Sequence, residues 1–140
     1  MAISSGIAIR FKEDSLKAVH DFTSATFKIA LYSSVASLSN GTSVYITSAE
    51  IANGNGYTTG GEALSVTNVT VDGSVAIVDF ADLSFTGVTL TARGALIYNN
   101  TDGDKAVCAL DFGGDKTATA GTFTIQFPAF TTSAAILRIS

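Results

Sequence analysis

Side chains that could act as a nucleophile or a base are few in this sequence. It contains one histidine, His20, and one cysteine, Cys108. No serine near His20 lies in the Gly-x-Ser-x-Gly turn that exposes a nucleophile, and we predict that the imidazole instead stabilises the negative end of a short helix. Cys108 lies between Val107 and Ala109, which is typical of a small core residue. The sequence therefore predicts no catalytic residue. A hydrolase would need His20 beside a serine or a carboxylate in a cleft.

The acidic and glycine-rich runs do not match the usual metal and cofactor motifs. Residues Asn99–Asp104 have the composition of a calcium loop, but the twelfth position is Leu110 instead of glutamate, and strands are predicted on both sides. A solvated hairpin turn is the better interpretation. The glycines of residues 54–61 lack the lysine and Ser/Thr of a phosphate-binding loop. We predict no metal site and no cofactor.

Charge and hydropathy exclude several classes of partner. The chain of 140 residues has 8 basic and 12 acidic side chains, a net charge of −4, and the basic ones are scattered. Nucleic-acid binding is therefore not expected, because neutralising phosphates requires clustered cations. Disorder is not expected either, because 46% of the residues are hydrophobic and only 14% are charged. No apolar run is long enough to span a membrane, so we expect no membrane partner. The length fits a single domain over residues 1–140.

Hydrophobic periodicity predicts one short helix followed by strands. The helix is expected over Lys12–Asp21, within an N-terminal arm of residues 1–25. Apolar and polar residues alternate over Thr26–Tyr32, which indicates a strand. Residues 33–61 are rich in Ser, Asn, Gly and Thr and form a long connection, with glycines that allow sharp bends on either side of Tyr57.

Short strands and turns alternate from Leu64 onward. Asp72-Gly73 and the run Asn99–Asp104 each predict a hairpin, and Gly113-Gly114 is expected to break a strand. Residues 83–91 are expected to form two short strands or one bent strand, and Ala135–Ile139 the last strand, paired at a central position. This pattern predicts an all-β fold, an antiparallel β-sandwich or barrel-like domain with one short N-terminal helix. We expect a sandwich.

The long connection contains the candidate interface residues. A connection of this length in a compact domain usually has a function, and we expect it to pack over one end of the sandwich or to reach a neighbouring chain. Tyr45, Asn55 and Tyr57 are the side chains that we predict at such an interface. A glycan-binding module that stacks sugars on Tyr45 or Tyr57 is an alternative.

Several segments, taken together and in order, resemble a known family. They are Phe27–Tyr32, Gly56–Gly61, Ala92–Asn99, Ala109–Gly113 and the final strand Ala135–Ile139. The set resembles small structural proteins of tailed-bacteriophage particles, and the similarity extends from His20 to the end of the chain.

The resemblance implies a non-enzymatic virion component that is present in many copies. The implied role is a capsid decoration or cement protein on the outer surface of the head, assembled in the cytoplasm of the bacterial host. Its implied partners are the major capsid protein or other virion proteins, together with further copies of itself on the particle. A tail, neck, baseplate or fibre component and a glycan-binding adhesin module remain alternatives.

Overall fold

Two antiparallel sheets and one helix make up the part of the chain that the computed structural model describes, residues 2–127 and 137–139. The larger sheet has the strand order β1-β7-β6-β2-β3, and the smaller has the order β4-β5-β8. The elements are β1 (Gly6–Ile7), α1 (Ile9–Leu16), β2 (Phe27–Tyr32), β3 (Glu62–Ala63), β4 (Val66–Asp72), β5 (Val75–Phe80), β6 (Leu83–Asn99), β7 (Lys105–Ile125) and β8 (Leu137–Ile139).

The larger sheet is built around the hairpin of β6 and β7. Asn99 pairs with Lys105 beside the turn, and the two strands remain paired as far as Leu83 and Ile125. Strand β2 pairs with residues 94–99 of β6, the part next to the turn. Its Phe27 is fully buried and is part of the core. The predicted turn at residues 99–104 is confirmed, as is the hairpin at Gly73, which joins β4 to β5.

Aromatic side chains connect the two sheets. The ring of Phe22 stacks on Phe27 of the larger sheet at 4.4 Å between centroids, and its edge meets Phe80 of the smaller sheet at 6.3 Å. Val78 and Leu137 of the smaller sheet belong to the same buried cluster. The predicted all-β, antiparallel fold with one short N-terminal helix is thus confirmed.

The helix lies earlier in the chain than predicted. It spans Ile9–Leu16 instead of Lys12–Asp21, because Ala18 takes a left-handed conformation with φ of 58° and reverses the chain. His20 therefore lies beyond the helix, and the prediction that it stabilises the helix end is wrong. The reversal instead brings His20 back against Phe11, with 4.8 Å between ring centroids.

Two predictions about strands also need correction. Gly113 and Gly114 do not end a strand, because β7 continues through them with a bulge: Ala92 and Gly94 of β6 pair with Lys116 and Asp111. The final strand β8 pairs with β5 at the edge of the smaller sheet among the described residues, not at a central position. Residues 135 and 136 of that prediction lie outside the described residues. Residues 83–91 form part of one continuous strand, β6, with bulges, which matches the alternative of a bent strand.

Candidate functional site

Tyrosine hydroxyls and one carboxylate fasten the long connection to the larger sheet. Glu50 accepts hydrogen bonds from the hydroxyls of Tyr45 and Tyr57, the second at 2.6 Å, and from the backbone N–H of Gly60 at 2.7 Å. Tyr32 donates to the carbonyl of Ile46 at 2.6 Å. We call Tyr45, Glu50, Tyr57 and Gly60 the Glu50 cluster.

The connection covers the edge of β2 where β3 no longer pairs with it. The hydroxyl oxygen of Tyr57 accepts the N–H of Leu31 at 3.0 Å, and Ile51 donates its N–H to the carbonyl of Leu31 at 2.9 Å. Ser33 donates its N–H to the carbonyl of Ala49. Backbone groups at this edge thus find partners within the chain, so it does not remain open to another strand.

Glycines let the connection approach the sheet closely. Gly56 and Gly60 have φ of 87° and 99°, which confirms the predicted bends on either side of Tyr57. A Cβ on Gly61, whose φ is 80°, would lie 1.8 Å from the carbonyl oxygen of Ile29. No larger residue fits at Gly61 without displacing the backbone of β2.

Burial keeps the hydroxyls of this region protonated. It raises the pKa of Tyr57 and of Tyr45 well above the usual value for tyrosine, and the hydrogen bonds to Glu50 act in the same direction. Burial also raises the pKa of Tyr98 to about 12, and its hydroxyl donates to the carbonyl of Gly60 at 2.6 Å. These phenols therefore act as hydrogen-bond donors at neutral pH and not as phenolate nucleophiles.

The three candidate interface residues lie in different environments. Tyr57 is only 2% exposed, so its ring does not offer a surface for stacking a sugar in this conformation. Tyr45 is half-buried and stacks on Tyr98 at 4.7 Å. Asn55 is exposed, and its carbonyl accepts the N–H of Thr89 at 3.0 Å. The structure brings Tyr45 and Tyr57 together through Glu50, and a role of the three residues in an interface stays a prediction.

Sequence reasoning missed Glu50, although a signal for it was present. Glu50 is the one charged residue between Ser33 and Gly61. A lone carboxylate in a neutral segment, with a tyrosine five residues before it and another seven after it, could have been recognised as a hydrogen-bond acceptor shared by both.

A second polar group is buried between α1 and the hairpin turn of β6 and β7. The side chains of His20 and Asp14 are 0% and 1% exposed, and His20 Nε2 lies 3.7 Å from Asp14 Oδ2. Asn99, fully buried, donates its amide to Nδ1 of His20 and to Asp102. Burial lowers the pKa of His20, although the nearby charge of Asp14 opposes this shift.

His20 is placed beside a carboxylate, as a hydrolase would require, but the two do not form a hydrogen bond, and Nε2 has no hydrogen-bond partner among the described residues. Because the Asn99 amide nitrogen donates to Nδ1, the neutral ring carries its proton on Nε2, facing Asp14. Ser15 and His20 both line an apolar cavity of about 180 Å³. The hydroxyl of Ser15, however, donates to the carbonyl of Phe11 at 2.8 Å. The contacts of His20 and Ser15 therefore do not form the nucleophile–base pair of a hydrolase.

Cys108 and the acidic turn have structural environments. Cys108 is buried, as predicted, and burial raises the pKa of its thiol to about 12. The turn at residues 99–104 is closed by Asn99, whose side-chain oxygen accepts the N–H groups of Thr101 and Asp102.

Among the residues that the structure describes, no group of three or more His, Cys, Asp and Glu is placed to hold a metal ion. No helix within residues 2–127 or 137–139 has the length and apolar character needed to cross a membrane.

A groove of about 380 Å³ runs beside the outer half of β7, the half that lies far from the turn at residues 99–104. Its lining includes Phe112, Lys116, Thr117 and the consecutive residues Thr122–Gln126. Consecutive side chains of a strand point to opposite faces, so a groove lined by all four residues from Thr122 to Ile125 lies along the edge of β7 and not on one face of the sheet. In the described part of the chain, β6 is the one strand paired with β7 from Lys116 to Ile125.

Comparisons with known proteins find no relative of this chain. The chain matches no family model, no curated protein and no solved structure.

Proposed function

We propose that this chain is a non-enzymatic structural protein of a tailed-bacteriophage virion, a decoration or cement protein that binds the outer surface of the head in many copies. Its partners would be the major capsid protein or other virion proteins and neighbouring copies of the chain. The resemblance of its strand segments to small phage structural proteins motivates this proposal. Its geometry supports a role in contacts between subunits.

The observation that carries the proposal is the strand edge of β7 beside its groove, which no other described strand pairs with. Unpaired edges present rows of backbone donors and acceptors, which natural proteins usually cover unless another chain uses them. In the part of the chain that the structure describes, residues 116–125 of β7 offer such an edge together with a concave surface. A contact surface of this kind suits a protein whose task is to bind its neighbours.

The exposed face of the β6–β7 hairpin also suits repeated contacts. Its side chains are short hydroxyl residues that lose little rotamer freedom when they become buried. A modest contact per copy is sufficient when many copies bridge neighbouring subunits. The residues of this face are Ser84, Thr86, Thr89, Thr91, Thr117, Thr119, Thr122 and Thr124.

Binding to purified heads tests the proposal. The purified chain should cosediment with mature heads that lack it, and the bound amount should saturate at a fixed ratio to the major capsid protein. Mass spectrometry of native particles should detect it in hundreds of copies. A dozen copies or fewer would place it in the tail, neck, baseplate or a fibre instead. Absence from particles, together with no binding to heads, would refute a virion role.

A further inference from the structure

The side chain of Asn99 determines which nitrogen of His20 carries the proton. Its oxygen accepts the backbone N–H groups of Thr101 and Asp102 at 3.1 and 3.2 Å, which fixes the orientation of the amide group. Its nitrogen, a donor, therefore faces Nδ1 of His20 at 3.1 Å and also donates to Asp102 Oδ2 at 2.9 Å. The oxygen and both amide hydrogens of Asn99 are thus used, and Nδ1 has to act as an acceptor.

Protonation of His20 would remove that acceptor. An imidazolium ring carries a hydrogen on both nitrogens, so its Nδ1–H would point at the amide hydrogens of Asn99. Rotation of the amide does not relieve this contact, because its nitrogen would then face the N–H groups of Thr101 and Asp102. Since Asn99 is fully buried, two donors held against each other have no water to turn to. The contact between the ring and Asn99 therefore has to break.

Carboxylates on two elements can accept the charged ring. Asp14 of α1, which also binds Arg10, has its Oδ2 at 3.7 Å from Nε2. The charges of Asp14 and Asp102 both favour protonation of the ring, whereas that of Lys105 opposes it. The other described residues that pack against the ring or line its cavity with it carry no charge: Phe11, Ser15, Phe22, Phe27, Val69, Ala76, Ile77, Val78 and Leu137.

We propose that protonation of His20 opens the turn at residues 99–104, because the charged ring leaves Asn99 and binds the carboxylate of Asp102 instead. In the neutral state, Asn99 holds the N–H groups of Thr101 and Asp102 and closes the turn. In the charged state, the ring lies between two carboxylates, with Asp102 at Nδ1 and Asp14 at Nε2. The amide of Asn99 then loses its position, and the two N–H groups turn to water. A local change of charge thus selects between two arrangements of the turn.

Opening of the turn would also loosen the long connection. The carbonyl of Asp104 accepts the N–H of Tyr45 at 2.8 Å, and Ala106 donates its N–H to the carbonyl of Ser43 at 2.9 Å. These bonds attach residues 43–45 to the turn and to the start of β7. Because burial lowers the pKa of His20 below its ordinary value of 6.5, the turn stays closed at neutral pH and opens only in acid.

Nuclear magnetic resonance of the full chain between about pH 8 and about pH 5 tests this switch. The nitrogen shifts of the imidazole report both the tautomer and the pKa of His20. At about pH 8, Nδ1 should carry no hydrogen, and the pKa should lie below 6.5. The amides of Thr101 and Asp102 should lose protection from hydrogen exchange in proportion to the charged fraction of the ring. The amides of Leu96 and Ala109, which pair in the middle of the β6–β7 hairpin, should keep theirs.

Two variants separate the charge on the ring from the carboxylate that receives it. His20→Gln keeps a polar side chain that cannot become charged, so the protection of the turn should not change over this pH range. Asp102→Asn keeps an oxygen for the amide of Asn99 but removes the negative charge, so the pKa of His20 should fall by about one unit.

Asp104→Asn is the matched control for Asp102→Asn. It removes a carboxylate from the same turn, and asparagine tolerates the φ of 57° at this position. Its charge is not among those that act on His20, so the pKa of the ring should equal that of the wild type. Circular dichroism at about pH 8 checks that each variant is folded.

Several outcomes would overturn the switch. A hydrogen on Nδ1 at about pH 8, or turn amides whose protection does not follow the charge on the ring, would exclude it. The same loss of protection in His20→Gln would also refute it. Simultaneous loss at Leu96 and Ala109 would indicate global acid unfolding instead of a local opening. Equal pKa values of His20 in Asp102→Asn and Asp104→Asn would exclude Asp102 as the new partner. None of these measurements uses phage heads, so their outcome is separate from that of the proposed function.

Discussion

Removal of the Glu50 carboxylate should release the long connection from the sheet. In Glu50→Ala the buried hydroxyl of Tyr57 and the buried N–H of Gly60 lose their acceptor, and each orphaned group costs about 1–3 kcal/mol. Tyr45 is half-buried and can turn its hydroxyl to water, so the loss of its hydrogen bond to Glu50 adds little to the cost. We expect the free energy of unfolding to fall by about 4 kcal/mol, above the usual range for a single substitution.

Glu50→Gln should be far milder. Its amide oxygen can accept from both Tyr57 and Gly60, and its amide nitrogen can donate to the hydroxyl oxygen of Tyr45. Only the charge assistance is lost, so we expect a cost of about 1 kcal/mol. Glu62→Ala is the matched control: this carboxylate is exposed, and its removal should cost less than about 0.5 kcal/mol.

Urea denaturation followed by circular dichroism measures these differences, and hydrogen exchange locates them. The amides of Leu31, Ile51 and Gly60 should lose protection in Glu50→Ala, while amides in the β6–β7 hairpin keep theirs under conditions that leave most molecules folded. Equal costs for Glu50→Ala and Glu50→Gln, both near that of Glu62→Ala, would refute the view that the carboxylate fastens the connection.

The remaining predictions concern pH, one glycine and the thiol. In the folded chain, burial lowers the pKa of His20 below its ordinary value of 6.5. The unfolded chain therefore binds a proton at a higher pH than the folded chain does. Urea titrations should show the free energy of unfolding falling as the pH drops below about 6.5. His20→Gln should flatten that dependence, and an unchanged slope would contradict the assignment. Gly61→Ala should destabilise by at least about 3 kcal/mol, against about 1 kcal/mol for Gly73→Ala, which also has a positive φ but meets no atom within 4 Å. Thermal unfolding would compare the two variants, and similar melting temperatures would contradict the clash. Cys108, with its thiol pKa raised to about 12 by burial, should react with a thiol reagent at a rate set by unfolding, so rapid labelling without urea would contradict its placement.

Features set by neighbours in the sequence were predictable. The alternation over Thr26–Tyr32 and the turn residues at Asp72-Gly73 and Asn99–Asp104 led to the correct strands and hairpins, since period and turn chemistry act locally. The end of the helix was not predictable in this way. It depends on a left-handed alanine, Ala18, whose conformation is tolerated because the reversal buries His20 against Phe11.

The candidate site depended on contacts between distant residues. The hydroxyl of Tyr57 accepts the N–H of Leu31, which is 26 residues away in the sequence, and no local pattern encodes that contact. The continuity of β7 through Gly113 had a similar cause. Pairing with β6 on both sides of the bulge holds the strand together where the local composition favours a break.

Coverage of strand edges differs across the molecule, and this difference bears on function. At the edge of β2, the chain uses β3, a buried tyrosine and the closely packed Gly61 to occupy backbone groups. In the described residues, the outer half of β7 and the outer side of β4 have no comparable cover, although each is longer than the covered edge. Within the described ranges, these two edges are therefore the places where the proposed contacts with other virion subunits would form.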